Sequence, residues 1–107
     1  MTQSGRVLGD IATRLLMEND RVKIWEMDLA PGEESAIHEH TMDYILVLLE
    51  GDRIAGVPEP DSAGPYNEYI EAEVEPGNYY YIEKGGIETA RNIGQKRYRE
   101  IAIELKD

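Results

Sequence analysis

The sequence contains two histidines, His38 and His40, with one residue between them. Because side chains alternate between the two faces of a β-strand, residues at positions i and i+2 project from the same face. Two imidazoles placed in this way can bind one metal ion. The alternative is that two surface histidines lie together by chance among acidic neighbours. The spacing alone does not decide between these two interpretations.

Cysteine is absent from the 107 residues. The chain therefore has no disulfide, no thiolate nucleophile and no cysteine-ligated zinc or iron–sulfur centre. Any metal ligands must be nitrogen or oxygen donors. The length predicts a single domain, residues 1–107, with one core and one compact site.

Eleven basic and 22 acidic residues give a formal charge of −11 at pH 7. At long range this charge repels a nucleic-acid backbone and an anionic lipid surface. The first residues contain no apolar signal core, and no apolar run approaches the ~20 residues of a membrane span. We therefore expect a soluble cytoplasmic protein, with neither nucleic acid nor a membrane as partner.

The elements that position the histidines are predicted to be β-strands. Apolar residues alternate with glutamates in 69–75 and in 100–105, a pattern typical of strands with the apolar residues in the core and the glutamates in water. The alternation is looser in 22–29. Segment 44–49 is apolar on both faces, which favours a central strand.

Turn-forming residues separate these strands at short intervals, which predicts a sandwich or a barrel. The predicted breaks are 19–21, 31–32, 50–52, 76–77, 85–86 and 92–94. Three prolines in 58–67 predict an exposed loop, either a connector or a lid. We see no repeat and no domain linker.

The first histidine motif resembles a family. Gly32, five further residues, His38, Glu39, His40, and then Gly51 at the end of a hydrophobic strand are similar to the first signature motif of the cupins. The stretch from His38 to Tyr44 is also similar to a subgroup of single-domain cupins, in which His-x-His is followed closely by Met-Asp-Tyr.

The second cupin motif is also recognisable, with two replacements. Gly77, Gly85 and Asn92 stand at its fixed positions, but Glu83 replaces a proline and Glu88 replaces the metal-binding histidine. The resemblance covers about residues 20–106. It implies an all-β fold, the double-stranded β-helix (jelly-roll) barrel. Residues 1–8 would form a tail, and 9–17 a short helix or a strand exchanged in a dimer.

The resemblance also implies a metal site with altered ligands. Tyr44 stands where the first motif has a third ligand, a glutamate, and Asp43, one residue out of register, is a second-choice ligand. His38, His40 and Glu88 together offer two imidazoles and a carboxylate, a donor set that suits Fe, Mn, Ni, Co or Zn. Alternatively, Glu88 acts as a general base or pairs with Arg91.

Four residues, Tyr44 among them, are candidates for a substrate pocket. Tyr44, Tyr79 and Tyr81 could line the barrel mouth, while Tyr80 would point to the opposite face. Arg91 could hold a carboxylate substrate or lie on the surface.

Two classes of function follow. The first is a metal-dependent cupin enzyme, a dioxygenase, isomerase or lyase, that acts on a small oxygenated metabolite with Glu88 and Tyr44 as candidate catalytic residues. The second is a non-catalytic barrel that binds or senses a small molecule and has lost the metal site; the fold does not choose between them. Small cupins similar to this chain are commonly homodimers in which an amino-terminal strand extends the partner's sheet.

Overall fold

The computed structural model describes residues 6–65 and 67–106. Within these residues the regular structure consists of nine β-strands. They are β1 (Arg14–Glu18), β2 (Val22–Leu29), β3 (His38–Glu39), β4 (Tyr44–Glu50), β5 (Arg53–Pro58), β6 (Ile70–Glu73), β7 (Tyr79–Ile82), β8 (Ile87–Asn92) and β9 (Tyr98–Leu105).

The strands form two sheets. The five-stranded sheet has the order β1-β2-β9-β4-β7, and the four-stranded sheet has the order β3-β8-β5-β6. Each pairing is antiparallel. Apart from the pairs β1–β2 and β5–β6, consecutive strands lie in different sheets, as in a jelly roll. The predicted all-β fold is confirmed.

The main hydrophobic core lies between the sheets. Met27 and Leu29 of β2 pack there with Leu48, Val74 and Tyr98, and all five are buried. β4 pairs with β9 on one edge and with β7 on the other, which confirms the central position predicted for 44–49.

The sequence-based prediction for β9 is wrong about its two faces. Tyr98, Glu100, Ala102 and Glu104 are buried, whereas the isoleucines between them are only partly covered. Ala102 lies opposite Trp25 of β2 and Leu46 of β4, so this small residue leaves room for large neighbours on the inner face. The register of the neighbouring strands therefore turns the glutamates inward, against the simple hydrophobic pattern.

Segment 9–17 does not form a helix. Ile11 is buried against Trp25, and the chain then enters β1, which lies at the edge of the five-stranded sheet with all five residues exposed. Of the predicted tail, residues from Arg6 onward are described. Arg6 donates two hydrogen bonds to Asp61, at 2.8 and 2.9 Å.

The turns carry glycines in backbone conformations that other residues rarely adopt. Gly51 has a φ of 136°, and a Cβ there would lie 3.0 Å from the Tyr98 ring. Gly85 has a φ of 116° and lies against the backbone of the 58–67 loop, at Ala63 and Gly64. Of that loop, residue 66 lies outside the described residues. No helix in the described ranges is long and apolar enough to cross a membrane.

Candidate metal centre and cavity

The register of the four-stranded sheet brings together His38, His40 and Glu88. His38 on β3 lies directly opposite Glu88 on β8. Glu88 Oε2 lies 3.9 Å from His38 Nε2 and 3.5 Å from His40 Nε2. Within the described residues these three form a group whose ligand atoms all lie within 4.8 Å of one another.

His38 is held in one orientation by its second ring nitrogen. Its Nδ1 lies 2.9 Å from the carbonyl oxygen of Ala36. We assign the proton to Nδ1 on this contact, which leaves the lone pair on Nε2 facing Glu88. Burial, and secondarily the neighbouring His40, lower the pKa of His38 below its usual value. The neutral imidazole is the form that binds a metal.

His40 is held by its backbone and by an aromatic contact. Its N–H donates to the Gly86 carbonyl, its own carbonyl accepts from the Gly85 N–H, and both distances are 2.8 Å. The ring stacks on Tyr44, with centroids 3.9 Å apart and planes 12° apart. Its Nδ1 is buried without a hydrogen-bond partner among the described residues. The position of this ring therefore depends on packing.

The geometry of the three donors fits a divalent ion. Two ligands that each lie about 2.1 Å from a tetrahedral metal are about 3.4 Å apart. The distances from Glu88 Oε2 to the two imidazoles, 3.5 and 3.9 Å, are close to this value, and all three donors lie within 4.8 Å of one another. Two nitrogens and one oxygen leave positions open for water or substrate.

Asp43, the second-choice ligand, lies outside this group. Its Oδ2 accepts from the Tyr81 hydroxyl at 2.8 Å and its Oδ1 from the Lys84 N–H at 2.9 Å. These two hydrogen bonds, the backbone one foremost, lower the pKa of Asp43. The carboxylate thus ties two turns together at the end of the sheet.

A cavity of about 230 Å³ extends from Glu88 into the barrel. Most of its wall is apolar and comes from both sheets. The apolar side chains include Leu46, Leu48, Ile54, Ile70, Ile82 and Ala90, and the polar ones are Tyr44, Glu73, Tyr80, Glu88, Tyr98 and Glu100.

The tyrosines divide differently from the prediction. Tyr44 and Tyr80 line the cavity, while Tyr79 and Tyr81 are 70% and 58% exposed and lie outside its lining. Tyr80 pairs with Leu46, an inner-face residue of β4, and this register turns the neighbouring tyrosines outward.

Arg91 also lies outside the cavity lining. Its Nε donates to Glu34 Oε1 at 3.0 Å, and both side chains are about half exposed. Arg91 therefore lies on the surface, which was one of the two predicted positions. It pairs with Glu34 and not with Glu88.

Sequence reasoning missed Tyr98 and Glu100, which belong to the cavity wall. The Tyr98 hydroxyl donates to Glu100 Oε1. Burial raises the pKa of Glu100 to about 7, against the opposing effect of this hydrogen bond, and burial likewise raises the pKa of Tyr98. A signal was available: tyrosine and glutamate at i and i+2 share a face of the same strand.

Comparison with known proteins was made on sequence and on structure. No protein-family model matches the chain. It is 25% identical over 104 residues to the auxin-binding protein T85 of Nicotiana tabacum, a match that covers 96% of this chain and 55% of the relative. The chain thus spans about half the length of that curated relative.

Two solved structures cover nearly the whole chain. A cupin domain from Bordetella pertussis Tohama I has a TM-score of 0.75 and 25% identity, with 94% of this chain and 96% of that chain covered. An RmlC-like cupin family protein from Methanocaldococcus jannaschii, with a double-stranded β-helix fold, has a TM-score of 0.67 and 15% identity, with 99% and 93% covered. The resemblance predicted from the two motifs is confirmed: the chain has the double-stranded β-helix fold of these cupin structures.

Proposed function

We propose that this cupin binds a divalent metal ion through His38, His40 and Glu88 and acts on a small oxygenated metabolite in the adjoining cavity. The observation that carries the proposal is the convergence of these three donors, whose ligand atoms lie within 4.8 Å of one another and of which Glu88 lines the cavity. Fe, Mn, Ni, Co and Zn all suit this donor set.

Each residue has a distinct part in the proposed site. His38 presents the lone pair of Nε2 because Ala36 holds its Nδ1. Tyr44 fixes the plane of His40 by stacking, and Glu88 supplies a charged oxygen that faces both rings. When bound, the ion supplies Lewis acidity or activates oxygen. The apolar wall limits the water around the reacting groups.

A non-catalytic barrel that binds or senses a small molecule is the second candidate. The observation that favours it is the position of Tyr44, which stands at the third-ligand position of the first motif and stacks on His40. A phenol in this position adds packing and no negative charge, so the site has three donors, His38, His40 and Glu88, where the family pattern implies four.

A compound screen tests the two candidates against each other. Wild type and His40→Ala, each incubated with the five metals in turn, are mixed with a library of small oxygenated compounds, and both thermal stabilisation and compound consumption are measured. A compound that the wild type consumes and His40→Ala does not supports the enzyme. A library in which compounds stabilise the wild type but none is consumed would contradict it and favour the binding barrel.

We also propose a homodimer formed through the outer face of the five-stranded sheet. Met17, Ile24, Ile103, Ile45 and Tyr81 are successive cross-strand neighbours in one row on that face, called the apolar row here. Its outer members are exposed by 45% at Met17 and 58% at Tyr81. An apolar strip that crosses a whole sheet is typical of surfaces that associate. β1 lies at the edge of the sheet, so it can also pair with a strand of the partner.

The cytoplasmic location stays a prediction.

A further inference from the structure

Glu100 is an acidic side chain inside the barrel whose role the metal site does not explain. It is 6% exposed, and it lines the cavity together with Tyr98 and Glu88. Tyr98 donates a hydrogen bond to its Oε1, while its Oε2 receives none from the described residues. Because Glu100 lines the cavity, this second oxygen can accept a hydrogen bond from a molecule bound there.

The charged side chains of the cavity wall are acids. Among the described residues that line it, Glu73, Glu88 and Glu100 are acidic, and none is basic. An arginine that could bind a carboxylate, Arg91, is paired with Glu34 on the surface. An anionic ligand placed beside Glu100, rather than on the metal ion proposed at Glu88, would therefore meet like charge next to a largely apolar wall, where such repulsion is weakly screened.

The remaining lining suits an apolar molecule of ring size. The cavity holds about 230 Å³. In another protein an apolar cavity of about 150 Å³ is enough to hold benzene. Large apolar side chains from both sheets, among them Leu46, Ile54 and Ile82, surround this space.

We propose that Glu100 is a specificity-determining residue, which accepts a hydrogen bond from a ligand hydroxyl and excludes carboxylates, so that the cavity takes a neutral, largely apolar, ring-sized molecule bearing a hydroxyl group. This inference rests on the proposed function only in that the same cavity receives the ligand. Tyr98 acts as a positioning residue, because its hydroxyl holds the carboxyl of Glu100.

A matched pair of probes tests the inference. Dissociation constants for benzyl alcohol and for benzoate are measured by NMR titration of the full chain at pH 8, where most of a carboxyl with a pKa of about 7 is ionised. The variants are Glu100→Gln, which removes the charge but keeps an acceptor for Tyr98, and Glu104→Gln as control. Glu104 is a buried acid on the same face of β9, bonded to Trp25 and outside the cavity lining.

The wild type and Glu104→Gln are expected to bind benzyl alcohol at least about tenfold more tightly than benzoate. In Glu100→Gln the preference should fall below about threefold. Equal affinity of the wild type for the two probes, no binding of benzyl alcohol up to millimolar concentration, or an unchanged preference in Glu100→Gln overturns the inference. Metal content is measured on the same samples, so that loss of the proposed metal site and loss of this preference are seen separately.

Discussion

Glu88 and His38 are cross-strand partners on β8 and β3, and their side chains face each other across 3.9 Å between Oε2 and Nε2. This pairing, and not proximity in sequence, builds the candidate metal centre. His40 reaches the same centre because its backbone hydrogen bonds to Gly85 and Gly86 hold the end of β3 beside the start of β8. A change that alters any of these contacts is expected to change metal affinity.

The stacking of Tyr44 on His40 gives the first prediction. Tyr44→Leu should lower metal affinity about tenfold, because the ring of His40 loses the contact that fixes it and its buried Nδ1 offers no replacement. Affinity is measured by competition with a chromophoric chelator. Tyr44→Phe keeps the stacked ring and should bind metal as the wild type does. Equal loss in both variants would assign the effect to the hydroxyl and contradict a packing role.

The buried carboxyl of Glu100 gives a prediction about pH. Its pKa is about 7 in the folded chain and near 4.5 when unfolded, so between these values the folded state holds more protons. The free energy of unfolding should therefore fall as pH rises through this window, by up to about 3 kcal/mol. Glu88 adds to the effect by repulsion, and Tyr98 opposes it through its hydrogen bond.

Urea denaturation at pH 5 and pH 8 measures this dependence. Glu100→Gln should lose much less stability between the two values than the wild type, and the difference between the proteins isolates Glu100 from the other titrating groups. Parallel curves for the two proteins would show that Glu100 is ionised throughout and would contradict the prediction.

The prediction from sequence succeeded where spacing determines structure. The spacing of the two histidines and the motif glycines resembled the cupin motifs and so led to the barrel, because turn positions follow from local sequence; Glu88 as a ligand stays a prediction. It failed where register decides. Tyr80 faces the cavity since it lies opposite Leu46, and Glu100 faces inward since Ala102 lies opposite Trp25; neither pairing is visible in one strand alone.

Trp25 and Glu104 provide a prediction for stability. Trp25 Nε1 donates to Glu104 Oε1 at 2.8 Å, and both residues are buried. Trp25→Phe should lower the free energy of unfolding by about 2–3 kcal/mol, because the buried carboxyl loses this donor and the core loses volume. Denaturant titration of Trp25→Phe, Glu104→Gln and the double variant separates the two effects. Strictly additive losses would mean that the hydrogen bond contributes nothing.

The proposed dimer predicts a particle mass of twice the chain mass. Ile103 is the central member of the apolar row, so Ile103→Glu should give a monomer, whereas Val7→Glu, at a residue 82% exposed and outside the row, should remain dimeric. Light scattering coupled to size exclusion measures the mass. A monomeric wild type would contradict the proposal, and a dimeric Ile103→Glu would move the interface elsewhere.

Elemental analysis of protein purified without an affinity tag tests the central claim most directly. Wild type is compared with His38→Ala, Glu88→Ala and a matched control, Glu39→Ala, because Glu39 lies between the histidines in sequence but its side chain is exposed. Near-stoichiometric metal in the wild type and in Glu39→Ala, with loss of the metal in the other two variants, is the predicted result. A wild type that stays empty after incubation with Fe(II), Mn, Ni, Co and Zn, or a Glu88→Ala variant that binds as the wild type does, would contradict the account.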